Sequence, residues 1–161
     1  MFNKISDFDA VLLKRAAIIL RGMGGITSNT NTEFNPHVPY TCADVGGLPD
    51  CSSTAPGVFM SEFKNDTTAL YTIVNRNSTS KELGVGFDGL GEGNFSDLHL
   101  SLPCQKGMRF FNLYEGLPLS PPAGSKEICR GCENDVKGSC VGRVAFSVHI
   151  EPSGIGAVAS M

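Results

Sequence analysis

The chain has no tryptophan, three tyrosines and three histidines in 161 residues, and each shortage removes a class of site. Flat exposed aromatics, above all Trp and Tyr, build carbohydrate-stacking platforms, so a lectin-like surface is poorly supplied. His37, His99 and His149 fall in no H-x-x-x-H or H-E-x-x-H spacing, which leaves zincin-type chemistry without its ligands. No G-x-S-x-G elbow is present, so an α/β-hydrolase serine is not indicated. Gly84-Val85-Gly86 and Gly89-Leu90-Gly91-Glu92-Gly93 lack both the strand-then-helix setting and the lysine of a phosphate loop, and they read as turns. Charge is scarce too, at 18% of residues and a net −3, with no block of one sign. A nucleic-acid footprint needs a basic patch or stripe. The longest apolar run is Ala16 to Leu20, against the ~20 residues of a bilayer-spanning helix. Neither nucleic acid nor a membrane is expected as a partner, and no cofactor is expected.

What the chain has is turn chemistry and short β runs. Gly and Pro are plentiful, at 19 and 9 residues. Ser6 to Arg21 reads as a helix, with Ser6 as cap, Asp9 three residues on, and Gly22, Gly24 and Gly25 as its stop. Its wheel places Asn3, Asp7, Lys14 and Arg21 on one stripe and leaves Val11, Leu12, Leu13 and Ala16 to Leu20 around the rest. A helix this apolar demands cover on most of its circumference. Residues 1–25 therefore read as the end of an upstream domain, and 26–56 as a Pro/Gly-rich connector carrying a cysteine loop. From residue 57 to 161 the pattern is that of an antiparallel β-sandwich of about seven strands, a mainly β fold with one N-terminal helix before it. Its strands are expected at 58–63, 69–75, 84–87, 98–102, 108–114, 144–150 and 155–159, with a Cys-bearing insertion at 118–142. Lys64-Asn65-Asp66-Thr67 separates the first two as a hairpin turn. The Phe residues, as in Phe59, Phe63 and Phe146, are expected to alternate into the core.

The six cysteines are Cys42, Cys51, Cys104, Cys129, Cys132 and Cys140. An even number reads as up to three disulfides in an oxidising compartment. Cys42 and Cys51 bracket a short Gly/Pro/Asp loop that a local bridge would close. The other four allow a second reading, one tetrahedral zinc on Cys104, Cys129, Cys132 and Cys140, although Cys104 and Cys140 lack the spacing of a second knuckle. Asn65, Asn77 and Asn94 each open an Asn-x-Ser/Thr sequon, and are candidate glycan acceptors. Sequons with paired cysteines point to a secretory, extracellular setting. The first 21 residues offer no signal-type apolar stretch or cleavage site, so the functional polypeptide is expected to be longer.

No residue is assigned a catalytic role. His37, within the extended segment Asn35-Pro36-His37-Val38-Pro39, reads as a packing or hydrogen-bonding residue, and His99 and His149 as surface or rim residues of strands. Glu115, before Gly116, is the most suggestive carboxylate and reads as a turn former.

Several stretches, taken in order, resemble one known arrangement. They are Leu13-Lys14-Arg15-Ala16-Ala17-Ile18-Ile19-Leu20-Arg21, Pro36-His37-Val38-Pro39, Gly57-Val58-Phe59-Met60-Ser61-Glu62-Phe63, Leu70-Tyr71-Thr72-Ile73-Val74-Asn75-Arg76, Phe111-Asn112-Leu113-Tyr114-Glu115-Gly116 and Ile150 to Val158. Together they resemble the β-sandwich that follows a glycoside-hydrolase-like barrel in multidomain proteins. Many of those proteins also carry a formylglycine-generating-enzyme (sulfatase-modifying-factor-like) domain. Tyr71 and Asn112 stand where that pattern often has Trp and Asp. The resemblance implies a non-catalytic accessory module, partnered by an upstream barrel-like domain of the same polypeptide, with carbohydrate as the ligand class of the whole. Asn75-Arg76-Asn77 and Tyr114-Glu115-Gly116 are then expected at the rim of the inter-domain contact. The alternative is a free-standing, secreted, disulfide-stabilised binding domain.

Overall fold

A computed structural model describes residues 7–27, 31–45, 48–76, 97–105, 107–120, 142–150 and 154–161. Two antiparallel sheets face each other in a mainly β fold, the sandwich class that the alternating runs predict. The first sheet has six strands in the order β1-β4-β5-β10-β7-β8. These are Glu33–Asn35, Val58–Lys64, Ala69–Asn75, Ile155–Ser160, Phe110–Asn112 and Leu117–Pro118. The second has four in the order β3-β2-β6-β9, namely Leu48–Asp50, Thr41–Val45, Asp97–Cys104 and Gly142–His149. Helix α1, Asp7–Gly22, precedes them with a single further turn, α2, Gly24–Thr27. Ser6, the expected cap, lies outside the described residues, as do 84–87 and most of the 118–142 insertion.

Strict alternation builds the core. In β6, Leu98, Leu100, Leu102 and Cys104 turn inward, and in β9 Val144, Phe146 and Val148 do so. They meet Val58 and Met60 of β4, Tyr71 and Ile73 of β5, Phe110 of β7 and Val158 of β10. Phe110 and Phe146 pack ring to ring across the sandwich at 4.9 Å between centroids. The final strand enters the middle of the six-stranded sheet, between β5 and β7. Its small residues Gly156, Ala157, Val158, Ala159 and Ser160 are all buried. A Cβ added at Gly156 would overlap the side chain of Ile150, so glycine there leaves room for that buried isoleucine.

Two differences from the sequence expectation concern the sheets. Residues 26–56, expected as a connector, contribute three short strands: β1 pairs with β4, and β2 joins β6 and β3. Three- to five-residue strands interrupted by Pro and Gly carry too few periods to register as alternation. The second difference is the direction of the phenylalanines. Phe146 and Phe110 are buried, but Phe59 is exposed and Phe63 lies on the outer face of the six-stranded sheet. The inward parity of β4 belongs to Val58, Met60 and Glu62.

Candidate functional site

The feature most in need of a partner is the outer side of the six-stranded sheet. Cross-strand pairs Phe34↔Phe63, Phe63↔Leu70, Phe59↔Val74 and Ile155↔Val74 place those residues on it. Antiparallel sheets with a solvated face show polar residues there, and this one is largely apolar. Leu70 and Ala157 are sealed by Ile26, Ile19 and Met23 of the helical segment, with Phe63, Leu113 and Tyr114 around them. The seal stops there. Phe34 is 52% exposed, and Phe59 and Val74 are exposed further along the same face. Phe34 stacks on Phe63 at 4.6 Å, and the His37 ring meets Phe59 edge-on at 5.9 Å.

Helix α1 repeats the pattern. Ile19 contacts the sheet, yet Leu13 and Ile18 are each 58% exposed and Leu20 is 45% exposed. Leu13 and Leu20, at i and i+7, share one stripe, while Ile18 points to a different side. Large apolar patches left open on a soluble surface mark interaction sites.

Behind β1 lies a polar cluster on the inward side. Glu62 is 3% exposed, and its Oε2 accepts a hydrogen bond from Asn35 Nδ2 at 3.0 Å and faces Lys64 Nζ at 3.8 Å. Lys64 Nζ also pairs with Glu33 at 3.4 Å. Tyr71 stands opposite Glu62 across the β4–β5 pair. Burial, reinforced by the Glu62 carboxylate, pushes the Tyr71 phenol well above its ordinary value, and Tyr40 rises for the same two reasons. Burial alone would lower the Lys64 ammonium, but Glu62 and Glu33 outweigh it and raise it. Arg143 lies over the Tyr40 ring, 4.8 Å from its centroid, and donates to the Ser101 carbonyl at 3.0 Å. This cluster ties edge strand β1 to β4 and leaves Glu62 no open face for a substrate.

His99 and His149 lie on the outward side of their strands, as their positions predict. His149 Nδ1 lies 2.8 Å from Asp97 Oδ1, and His99 Nδ1 shares a hydrogen bond with Ser147 Oγ at 3.0 Å. Both pairs are cross-strand rungs of β6 and β9. His37 has φ +57° and stands in a turn, where the sequence reads as extended. Glu115 is exposed in a turn whose amides at 114 and 115 donate to Asn112 Oδ1 at 3.0 and 3.4 Å. Asn75 is no rim residue. It is fully buried and donates from Nδ2 to the Ile150 carbonyl at 3.0 Å.

Cys42 and Cys51 form a disulfide that closes the β2–β3 hairpin. Ala55 N donates to Thr41 Oγ1 at 3.2 Å and Ala43 N to the Ser53 carbonyl at 2.9 Å, pinning the same loop to the sheet. Cys104 is also disulfide-bonded, and a sulfur so bonded is not a thiolate ligand for zinc. Cys129, Cys132 and Cys140 lie outside the described residues, as do Asn77 and Asn94. Among the described residues, no group of three or more His, Cys, Asp or Glu side chains is placed to hold a metal ion. Asn65 sits in the β4–β5 hairpin turn.

Comparison with known proteins finds no matching family model, no similar curated protein and no similar solved structure.

Proposed function

We propose that this chain is a non-catalytic accessory β-sandwich of a larger carbohydrate-active (glycosidase-like) or sulfatase-modifying-type polypeptide. In this reading, α1 and the adjoining outer sheet face dock on a preceding barrel-like domain. One observation carries it: α1 holds to its own sheet through Ile19 while Leu13, Ile18 and Leu20 stay exposed. Faces between domains of one chain bury roughly 600–1,500 Å², and exposed apolar residues on a helix and on a sheet face are the chemistry such a contact uses. The engaged state of the titratable groups supports the non-catalytic part, since Glu62 is held by Asn35 and Lys64, and Asp97 by His149. The resemblance quoted above supplies the barrel as the occupant. Disulfide bonding at Cys42, Cys51 and Cys104 supports an oxidising, secretory route.

The test is the chain alone, in sedimentation velocity. It is expected to self-associate and to bind an apolar dye, and Leu13→Ser, Ile18→Ser and Leu20→Ser together are expected to restore a monomer with an unchanged melting temperature. A monomer that ignores the dye and the triple substitution overturns the docking reading. It would favour the free-standing secreted binding domain, to which the disulfides also belong.

A further inference from the structure

We infer that Asn65 is an N-linked glycan acceptor, on geometry independent of the docking reading. The sequon Asn65-Asp66-Thr67 forms the turn between β4 and β5, the kind of exposed hairpin apex a transferase can reach. Asn65 is half-buried, and Asp66 and Thr67 are exposed. The Asn65 amide is held in a fixed sense. Its Oδ1 accepts from Thr67 N at 3.1 Å and Thr68 N at 2.9 Å, and Thr67 Oγ1 stands 3.5 Å from the same oxygen. The carboxamide carbonyl therefore turns into the loop, and Nδ2, on the other side of Cγ, takes part in no hydrogen bond among the described residues. The nitrogen that would carry the sugar is free, and the threonine hydroxyl that defines the sequon stands on the carbonyl side of the same amide.

The step is a substitution at an anomeric carbon. The Nδ2 of Asn65 attacks C1 of the reducing-end N-acetylglucosamine of a polyprenyl-pyrophosphate-linked oligosaccharide, held by a transferase. The C1–N bond forms, the C1–O bond breaks, the lipid pyrophosphate leaves with the electron pair, and one amide proton passes to a base of the transferase. No electron is gained or lost overall. The compartment that performs it is oxidising, in keeping with the disulfides at Cys42–Cys51 and Cys104. Phe59 lies far along β4 from the turn, roughly 17–20 Å at the rise of a strand, so a glycan at Asn65 leaves the Phe59/Val74 patch open.

The experiment produces the full chain behind a cleavable secretion leader in a eukaryotic host. The peptide containing Asn65 is read by mass spectrometry on secreted material, before and after a peptide N-glycosidase. The expected result is a glycan on that peptide, with conversion of Asn65 to aspartate upon its removal. Thr67→Ala is expected to abolish the adduct and Thr67→Ser to retain it. Asn65→Asp keeps the Oδ1 acceptor of the turn and removes the nitrogen, so a secreted, folded variant without the adduct separates modification from folding. Secreted chain with Asn65 unmodified overturns the proposal, and so does an adduct on that peptide that survives Thr67→Ala.

Discussion

The two faces of the six-stranded sheet are both apolar, but only one is closed. On the inner face Met60, Tyr71, Ile73 and Val158 meet the opposing Leu98, Leu100 and Phe146, and every one of them is buried. On the outer face the same strands present Phe59, Phe63, Leu70 and Val74, and the helical segment seals only the part around Leu70 and Ala157. A sheet meant to meet water on one side would carry polar residues at alternate positions, as β6 and β9 do with Asp97, His99, Ser147 and His149. The contrast separates two tasks. Apolar residues of the inner face hold the fold together, and the uncovered ones outside are there for something else.

The largest effect belongs to the inner face. Phe146→Ala removes a buried ring from the middle of the sandwich and is expected to cost about 3–5 kcal/mol, read from urea unfolding. Phe59→Ala removes an equal ring from the outer face and is expected to stay within about 0.5 kcal/mol. A comparable loss at both positions would erase the distinction between faces.

A finer test runs along one strand. Leu70 and Val74 both project outward from β5, the first fully buried under the helical segment and the second exposed. Leu70→Ala is expected to cost about 2–4 kcal/mol, and Val74→Ala a few tenths. If Leu70→Ala proves as silent as Val74→Ala, the helical segment does not seal that end of the sheet, and the whole outer face is open.

Much of this arrangement can be read in the amino-acid order, and the failures have local causes. Alternation in Leu98-His99-Leu100-Ser101-Leu102 and in Val144 to Val148 announces two half-buried strands, and both form. In β4, Val58, Phe59 and Met60 are apolar at both parities, so the pattern there does not say which side is inward. Glu62 misleads further, because a carboxylate in a strand ordinarily marks the solvent side. It turns inward because Asn35 and Lys64 satisfy it, and Asn35 is brought from β1, 27 residues away. The rung between Asp97 and His149 joins residues 52 apart, a register no local window contains. Strands β1 to β3 are too short to show a period. The exposed apolar side of α1 was the most legible part of the candidate site, since a wheel apolar on most of its circumference needs no partner to be recognised.

The smallest effect appears only in alkali, and it concerns the polar cluster around Glu62 on the inner side. The folded state holds the Tyr71 proton more tightly than the unfolded chain, because burial, and then the adjacent Glu62 carboxylate, oppose the phenolate. Above the ordinary tyrosine value near pH 10, the unfolded chain has lost that proton and the folded chain keeps it. Stability is therefore complete below about pH 10 and falls as pH rises, by up to ~1.4 kcal/mol per pH unit for one such group. Tyr40 and Lys64 shift in the same direction, but the Lys64 ammonium is 42% exposed and contributes little against solvent screening. Tyr71→Phe is expected to flatten the alkaline limb of a urea-midpoint titration, while Val74→Ala, on the other face, leaves it unchanged. A limb equally steep in Tyr71→Phe would mean that the Glu62–Tyr71 pair is not closed off from water, and the inner face would then be sealed less completely than its aliphatic half indicates.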